Sequence, residues 1–275
     1  MPFYILNNEA IAPGLRRIAH EQIGIVLDLP ASDAAQVQKK VHAVRACCKK
    51  MRGLLRLARP VMGDMYKAED RKFRMAGREL AESRDTEVVA NTIALLGGPV
   101  EQNQAQDLAV PAAAIERSVD ILKERDHAVA GWPLETDGFD DIAPGFAHIY
   151  QKCLDKWNAV RNDPGDEVFH SLRRFTKYHW YHVRILEQLN EEKISHRRDF
   201  LGDLQMTLGS AHDIVLLESV LNPRDDSDAQ LLQRALTRKN ELYADALKLC
   251  DLVFTQSTEG LVADYSRWWI ESRGN

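Results

Sequence analysis

The 275-residue sequence has no apolar run approaching the 18 residues that mark a membrane-spanning helix. No Lys- or Arg-led apolar segment opens it, so neither a membrane span nor a secretion signal is expected. Cysteine is scarce. Cys47, Cys48, Cys153 and Cys250 form no CxxC pair and no finger-like spacing with histidine, and Cys47 and Cys48 are adjacent on a helical stretch. Reduced, packed thiols and a cytoplasmic location follow as expectations. The 15 Gly and 10 Pro gather in a few places, which favours helices joined by short breaks. No stretch alternates β-branched residues, so no sheet is expected. Catalytic signatures are also missing. There is no nucleophile elbow, Walker loop, GxGxxG or HExxH, and Glu191-Glu192-Lys193 lacks the alternating ExExK of tunnel-type triphosphatases. No pair of carboxylates has evident acid and base roles, so an enzyme is not expected.

Against a formal net charge of −5, residues 39–62 carry eight Lys or Arg and no Asp or Glu. At helical period this stretch splits into two stripes. Val41, Val44, Cys48, Met51, Leu55, Ala58 and Met62 form a core-facing seam. One position along, His42, Arg45, Lys49, Arg52, Arg56 and Arg59 form a cationic stripe on its shoulder. Like charges at this spacing repel by about 0.2–0.5 kcal/mol per pair, so the row needs a reason. Positive residues crowd into 39–78 and 170–198, whereas 101–141 and 213–228 lean acidic. A local cationic face on an acidic chain is a selective anion binder rather than a general one.

Helices are expected from about Pro13 to Pro30, over the basic stretch with Ser32 or Asp33 as cap, and from about Lys67 to Ser83. The third has Phe73, Ala76 and Leu80 inward and Lys67, Arg71, Arg74 and Arg78 on a separate stripe. Further helices follow from Asp85 to Leu96, closed by Gly97-Gly98-Pro99, and over 106–130. After the loop from Gly131 to Asp141 the pattern repeats. Ile142-Ala143-Pro144-Gly145 copies Ile11-Ala12-Pro13-Gly14 at an offset of 131. Past the next loop the offset settles at 128, pairing His42 with His170, Arg45 with Arg173, Lys49 with Lys177, Arg56 with Arg184, Leu80 with Leu208 and Asp85 with Asp213. The change is one loop shortened by three residues, as in a structural duplication. Second-copy helices are expected near 168–189, 193–208, 213–221 and 228–253, with a last segment near 258–272. The architecture read from this is all-α, with two pseudo-symmetric four-helix bundles (11–130 and 142–256) flanking a basic groove, and a C-terminal helix over 257–275.

A ladder of Lys and Arg at about 5.4 Å per turn suits a ligand of closely repeated negative charge, and guanidinium matches phosphate oxygens bidentately. In the second copy Arg174 joins the stripe and Trp180 stands where Arg52 would be. His42 and His170 open the two stripes, each three residues before an Arg, but neither has a second ligand at chelating spacing. His212-Asp213 resembles the HD pair of metal-dependent phosphohydrolases. In the matching Arg84-Asp85 the Arg cannot ligate a metal, and the better reading has Asp85 and Asp213 each starting a helix or orienting a nearby cation. Nucleic acid is the alternative polyanion. Tyr178, Trp180 and Tyr181 are the candidate stacking residues, but they are expected to pack inward.

The pattern His42-x-x-Arg45-x-x-x-Lys49-Lys50-x-Arg52-x-x-x-Arg56, the later Arg84-Asp85, and the second His170-x-x-Arg173-x-x-x-Lys177 resemble the CHAD family, the conserved-histidine α-helical domain, over nearly the whole chain. The resemblance implies one domain spanning 1–275 whose two bundles bind inorganic polyphosphate without catalysis, metal or cofactor. It also implies polyphosphate granules or a polyphosphate-metabolising enzyme as further partners. Carried over position by position, the anion contacts are His42, Arg45, Lys49, Lys50, Arg52, Arg56, Arg84, His170, Arg173, Arg174 and Lys177, with Arg184 as the repeat partner of Arg56. The usual Arg-Tyr of the second copy appears here as Trp180-Tyr181 and the usual Arg-Asp as His212-Asp213, so the second half is expected to bind more weakly.

Overall fold

The computed structural model describes residues 2–80, 82–98, 111–135 and 137–274, with the backbone alone for 82–85. Among the described residues there are ten α-helices and no strand. They are α1 (Ile11–Leu27), α2 (Ala34–Met62), α3 (Met65–Arg78), α4 (Glu82–Leu95), α5 (Ala112–Val129), α6 (Phe139–Asn162), α7 (Asp166–Ile185), α8 (Glu191–Glu218), α9 (Asp226–Val253) and α10 (Thr258–Glu271).

The basic stretch becomes α2. Asp33 caps it by accepting from the Gln36 backbone N–H at 2.9 Å, and the whole predicted seam from Val41 to Met62 is buried. Cys47, Gly53, Leu54 and Leu57 are buried as well, because α2 is not a surface helix with one covered face. It packs on α1 and α3 and also on α6 and α7, so apolar residues are needed on several sides. One continuous core runs from Phe3 and Ile5 through α1, α2, α3 and α5 into α6, α7 and α10.

Two backbone crossings bring α2 against the later helices. At Gly145 of α6, an added Cβ would lie 2.2 Å from the Leu57 carbonyl oxygen and 2.7 Å from that of Arg56. Pro60, with no N–H of its own, leaves the Arg56 carbonyl without its helical donor. At Gly53 of α2, an added Cβ would lie 2.8 Å from the Tyr181 ring of α7.

Three expectations are corrected. The helix expected over 67–83 stops at Arg78, and α4 starts at Glu82 rather than Asp85. The helices expected over 193–208 and 213–221 are one continuous α8, so Asp213 lies inside a helix and not at its start. Its placement therefore owes nothing to a helix N-terminus. Of the helix expected over 106–130, Ala112–Val129 is seen and 106–110 fall outside the described residues. Helix α4 packs on α8, where Val89, Ile93 and Leu96 meet a smaller core built from Ile214, Leu217, Leu231 and Ala235. The lead-in before α1 is a packed segment. Phe3 meets Tyr181 edge-on at 5.8 Å, and the Ile5 N–H donates to the Ile185 carbonyl at 2.9 Å.

Candidate functional site: a cleft between α2, α3 and α7

A cavity of about 610 Å³ opens between α2, α3 and α7. Its walls carry Arg45, Lys49, Arg52 and Arg56 from α2, Arg74 and Arg78 from α3, and His170, Arg173, Arg174 and Lys177 from α7. Among the described residues, no carboxylate lines it. A smaller cavity of about 340 Å³ continues past Arg45, Lys49, Arg173 and Lys177 to His42, Glu87 and Asn91.

Three of these cations share a buried acid behind them. Asp70, buried on α3, accepts hydrogen bonds from Arg52 at 3.0 Å, Arg56 at 2.8 Å and Arg74 at 2.7 Å. Burial alone would raise its pKa. The Arg56 charge and the bonds from Arg74, Arg56 and Arg52 outweigh that and bring it down to about 2. One negative charge thus fixes three guanidiniums and leaves them with net positive charge facing the opening. Arg56 is further fixed by lying 4.0 Å from the Tyr178 ring centroid. Arg45 donates to the Leu80 carbonyl at 2.5 Å, beyond the end of α3.

On the α7 side, His170 Nδ1 lies 3.4 Å from His212 Nδ1. Desolvation, with Arg173 and Arg174 adding to it against Glu167, lowers the His170 pKa and keeps the ring neutral near pH 7. Among the described residues, no group of three His, Cys, Asp or Glu is arranged to hold a metal ion.

The structure therefore brings together Arg45, Lys49, Arg52, Arg56, His170, Arg173, Arg174 and Lys177, with His42 in the adjoining cavity. Lys50 and Arg184 line neither cavity. They meet at the N-terminal segment instead. Lys50 Nζ stands 5.3 Å and Arg184 5.2 Å from the Phe3 ring centroid, and Lys50 donates to Gln22. Burial, reinforced by the Arg184 charge, lowers the Lys50 pKa. Lys50 sits one residue off the cleft-facing stripe of α2, whereas Arg184 stays in period with Lys177 and lies two turns further along α7. The Arg84 side chain lies outside the described residues. Arg74 and Arg78 reach the cleft although the sequence places them on a separate stripe, because α3 folds back along α2. Asp70 was not foreseen. Its one sequence signal is the spacing of four to Arg74, which puts both on one helix face. Tyr178 and Tyr181 are buried beneath the cleft, and Trp180 is half-buried under the Arg184 guanidinium.

The described helices thus form an all-α protein with a cationic cleft that no carboxylate among the described residues lines. A family model for the CHAD domain matches residues 10–222, and the chain belongs to that family. A search of curated proteins gives no match. No helix among the described residues is long and apolar enough to cross a membrane.

Proposed function

We propose that this chain is an internal duplication that binds inorganic polyphosphate, without catalysis, in the groove between its two copies. The observation that carries this reading is the cleft lining, in which nine Lys and Arg side chains from three helices face one opening that no carboxylate among the described residues lines. Two of the lining pairs, Arg45 with Arg173 and Lys49 with Lys177, are repeat partners 128 positions apart. Gly53 and Tyr181 share that offset and touch, as residues beside an approximate two-fold axis would. Membership of the CHAD family, which is associated with polyphosphate binding, supports the same ligand. Fixed guanidiniums suit phosphate because their donors need no reorganisation when the anion arrives. Cytoplasmic polyphosphate granules or a polyphosphate-metabolising enzyme follow as the cellular partners.

A nucleic acid is less well served. Tyr178 is covered by Arg56 and Tyr181 is buried, which leaves no row of open rings along the cleft for successive bases. The test is a titration with polyphosphates of increasing length against the wild type and the Arg45→Glu/Arg173→Glu variant. Affinity should rise with chain length for the wild type and collapse for the variant. Equal binding of short and long chains, or an unchanged variant, rejects the reading.

A further inference from the structure

Beyond Arg56 the cationic cleft runs into a cavity of different chemistry, about 530 Å³ in volume. Arg56 and Phe175 line both spaces, so the two adjoin. The second cavity is walled mainly by rings: Pro60 from α2, Tyr66 from α3, Pro144 from α6 and Phe175 from α7. Its polar side chains are few. Arg59 lies 5.3 Å from the Tyr66 ring centroid, and His148 stands on α6. Part of the lining is the main-chain crossing at Gly145, where no side chain fits.

These walls do not resemble those of the phosphate cleft. Proline and aromatic faces, with a guanidinium plane beside them, receive flat heteroaromatic groups by stacking. A neutral imidazole offers one donor and one acceptor to the edge of such a group. Desolvation first, then the Arg59 and Lys152 charges against Asp155, lower the His148 pKa and favour that neutral form.

The other copy does not repeat this lining. The positions 128 beyond Arg59 and Tyr66 are Glu187 and Ile194, which cannot repeat a guanidinium beside a ring. There Phe3 and Ile5 of the N-terminal segment pack against Tyr181 and Ile185. A chain of phosphates alone gives no reason for an aromatic terminus at one end of its cleft.

We propose that the Tyr66–Phe175 cavity holds the base of a nucleoside polyphosphate whose phosphates continue past Arg56 into the cationic cleft. This rests on the phosphate reading of the cleft and adds a class of ligand to it. A single base pocket at one end fits a mononucleoside ligand better than a strand with a base on every phosphate.

Calorimetric titration of the full chain with adenosine tetraphosphate and with inorganic tetraphosphate, at one salt concentration, tests the proposal. The nucleoside ligand should bind about tenfold tighter, the range of one stacked base. Tyr66→Ala should remove that advantage and leave inorganic tetraphosphate within about twofold of wild type. If Tyr66→Ala melts early, His148→Ala serves in its place. Equal affinity for the two ligands, or an advantage that survives both variants, overturns the base pocket alone when long inorganic chains still outbind short ones. Tighter binding of an oligoadenylate with the same number of phosphates also overturns it and assigns the pocket to nucleic acid. Absence of any length dependence for inorganic chains overturns the phosphate reading beneath it.

Discussion

Asp70 and Arg198 stand 128 positions apart, and their surroundings differ. In the first half Asp70 gathers Arg52, Arg56 and Arg74 at the edge of the cleft. In the second, Arg198 pairs with Glu187 and Asp199, while the positions matching Arg52, Arg74 and Arg78 hold Trp180, Gly202 and Met206. Trp180, Gly202 and Met206 line another cavity, where Asp199 and Asp203 offset Lys177 and Arg198, so its lining carries no net positive charge. Repetition of a helix pattern thus does not by itself repeat a site. On the first-half wall Asp70 makes three close-set guanidiniums tolerable, and the position 128 beyond it holds a cation instead.

The halves also differ beneath the cleft. His179 and His182 of α7 are fully buried, and the residues 128 positions earlier are Met51 and Leu54. His182 Nε2 donates to the Gly53 carbonyl at 3.0 Å, whereas neither ring nitrogen of His179 has a hydrogen-bond partner among the described residues. Burial, aided by the Arg197 and His182 charges, pushes the His179 pKa well below its usual value. Burial, opposed by the Gly53 bond, pushes that of His182 down to about 3. A histidine with a depressed folded pKa stabilises the protein fully above its unfolded value of about 6.5 and loses that contribution as pH falls toward the folded value. Between pH 6.5 and 5 the two together should cost about 3 kcal/mol of stability, measured by urea unfolding across that range. His179→Met, which copies the first half, should halve this slope. Asp70 works at a lower pH. Its contribution is complete above about 3.8 and is lost as pH falls through about 2.

The shared Ile-Ala-Pro-Gly sequence gives the next contrast. Gly145→Ala drives a methyl into backbone carbonyls, and we expect a loss of about 3 kcal/mol or more in urea unfolding. At Gly14 the same methyl meets the Glu9 carboxylate at 3.0 Å and Ile5 at 3.1 Å, side chains that can shift, and the loss should be about 1 kcal/mol. Equal losses would show that the α2–α6 crossing is no tighter than the packing of the lead-in segment.

A smaller effect separates the two partners of the register. Asp70→Asn, which removes charge from three charge-assisted bonds, should cost about 2 kcal/mol, whereas Arg198→Gln, a more exposed pair, should cost less than about 1 kcal/mol. The smallest expected effect is on binding. Arg52→Ala/Arg74→Ala should weaken long-chain polyphosphate about tenfold and reduce the salt slope by about 1.4, while Trp180→Ala/Met206→Ala should leave both nearly unchanged. Comparable losses from the two pairs would mean that both halves bind alike.

Much of this was legible in the chain itself. The seam of α2 is buried as its period requires, Phe73, Ala76 and Leu80 are inward as expected, and Asp33 is the cap. Period alone could not place Lys50, because which shoulder of α2 faces the cleft depends on how it crosses α7, nor Arg184, because period does not tell how far along α7 the cleft extends. It could not show that α8 runs unbroken through Gly209 and Asp213, since a helix end needs a breaker stronger than one glycine. Nor could it find Asp70, whose role comes from α3 folding back on α2 and appears locally only as a spacing of four.

The salt dependence of long-chain polyphosphate binding tests the central claim most directly. If several fixed guanidiniums each displace a counterion, log K should fall against log salt with a slope of about −3 or steeper, and Arg45→Glu/Arg173→Glu should flatten it. A slope near zero in the wild type, or one that the double variant leaves unchanged, would contradict a phosphate chain lying along α2, α3 and α7.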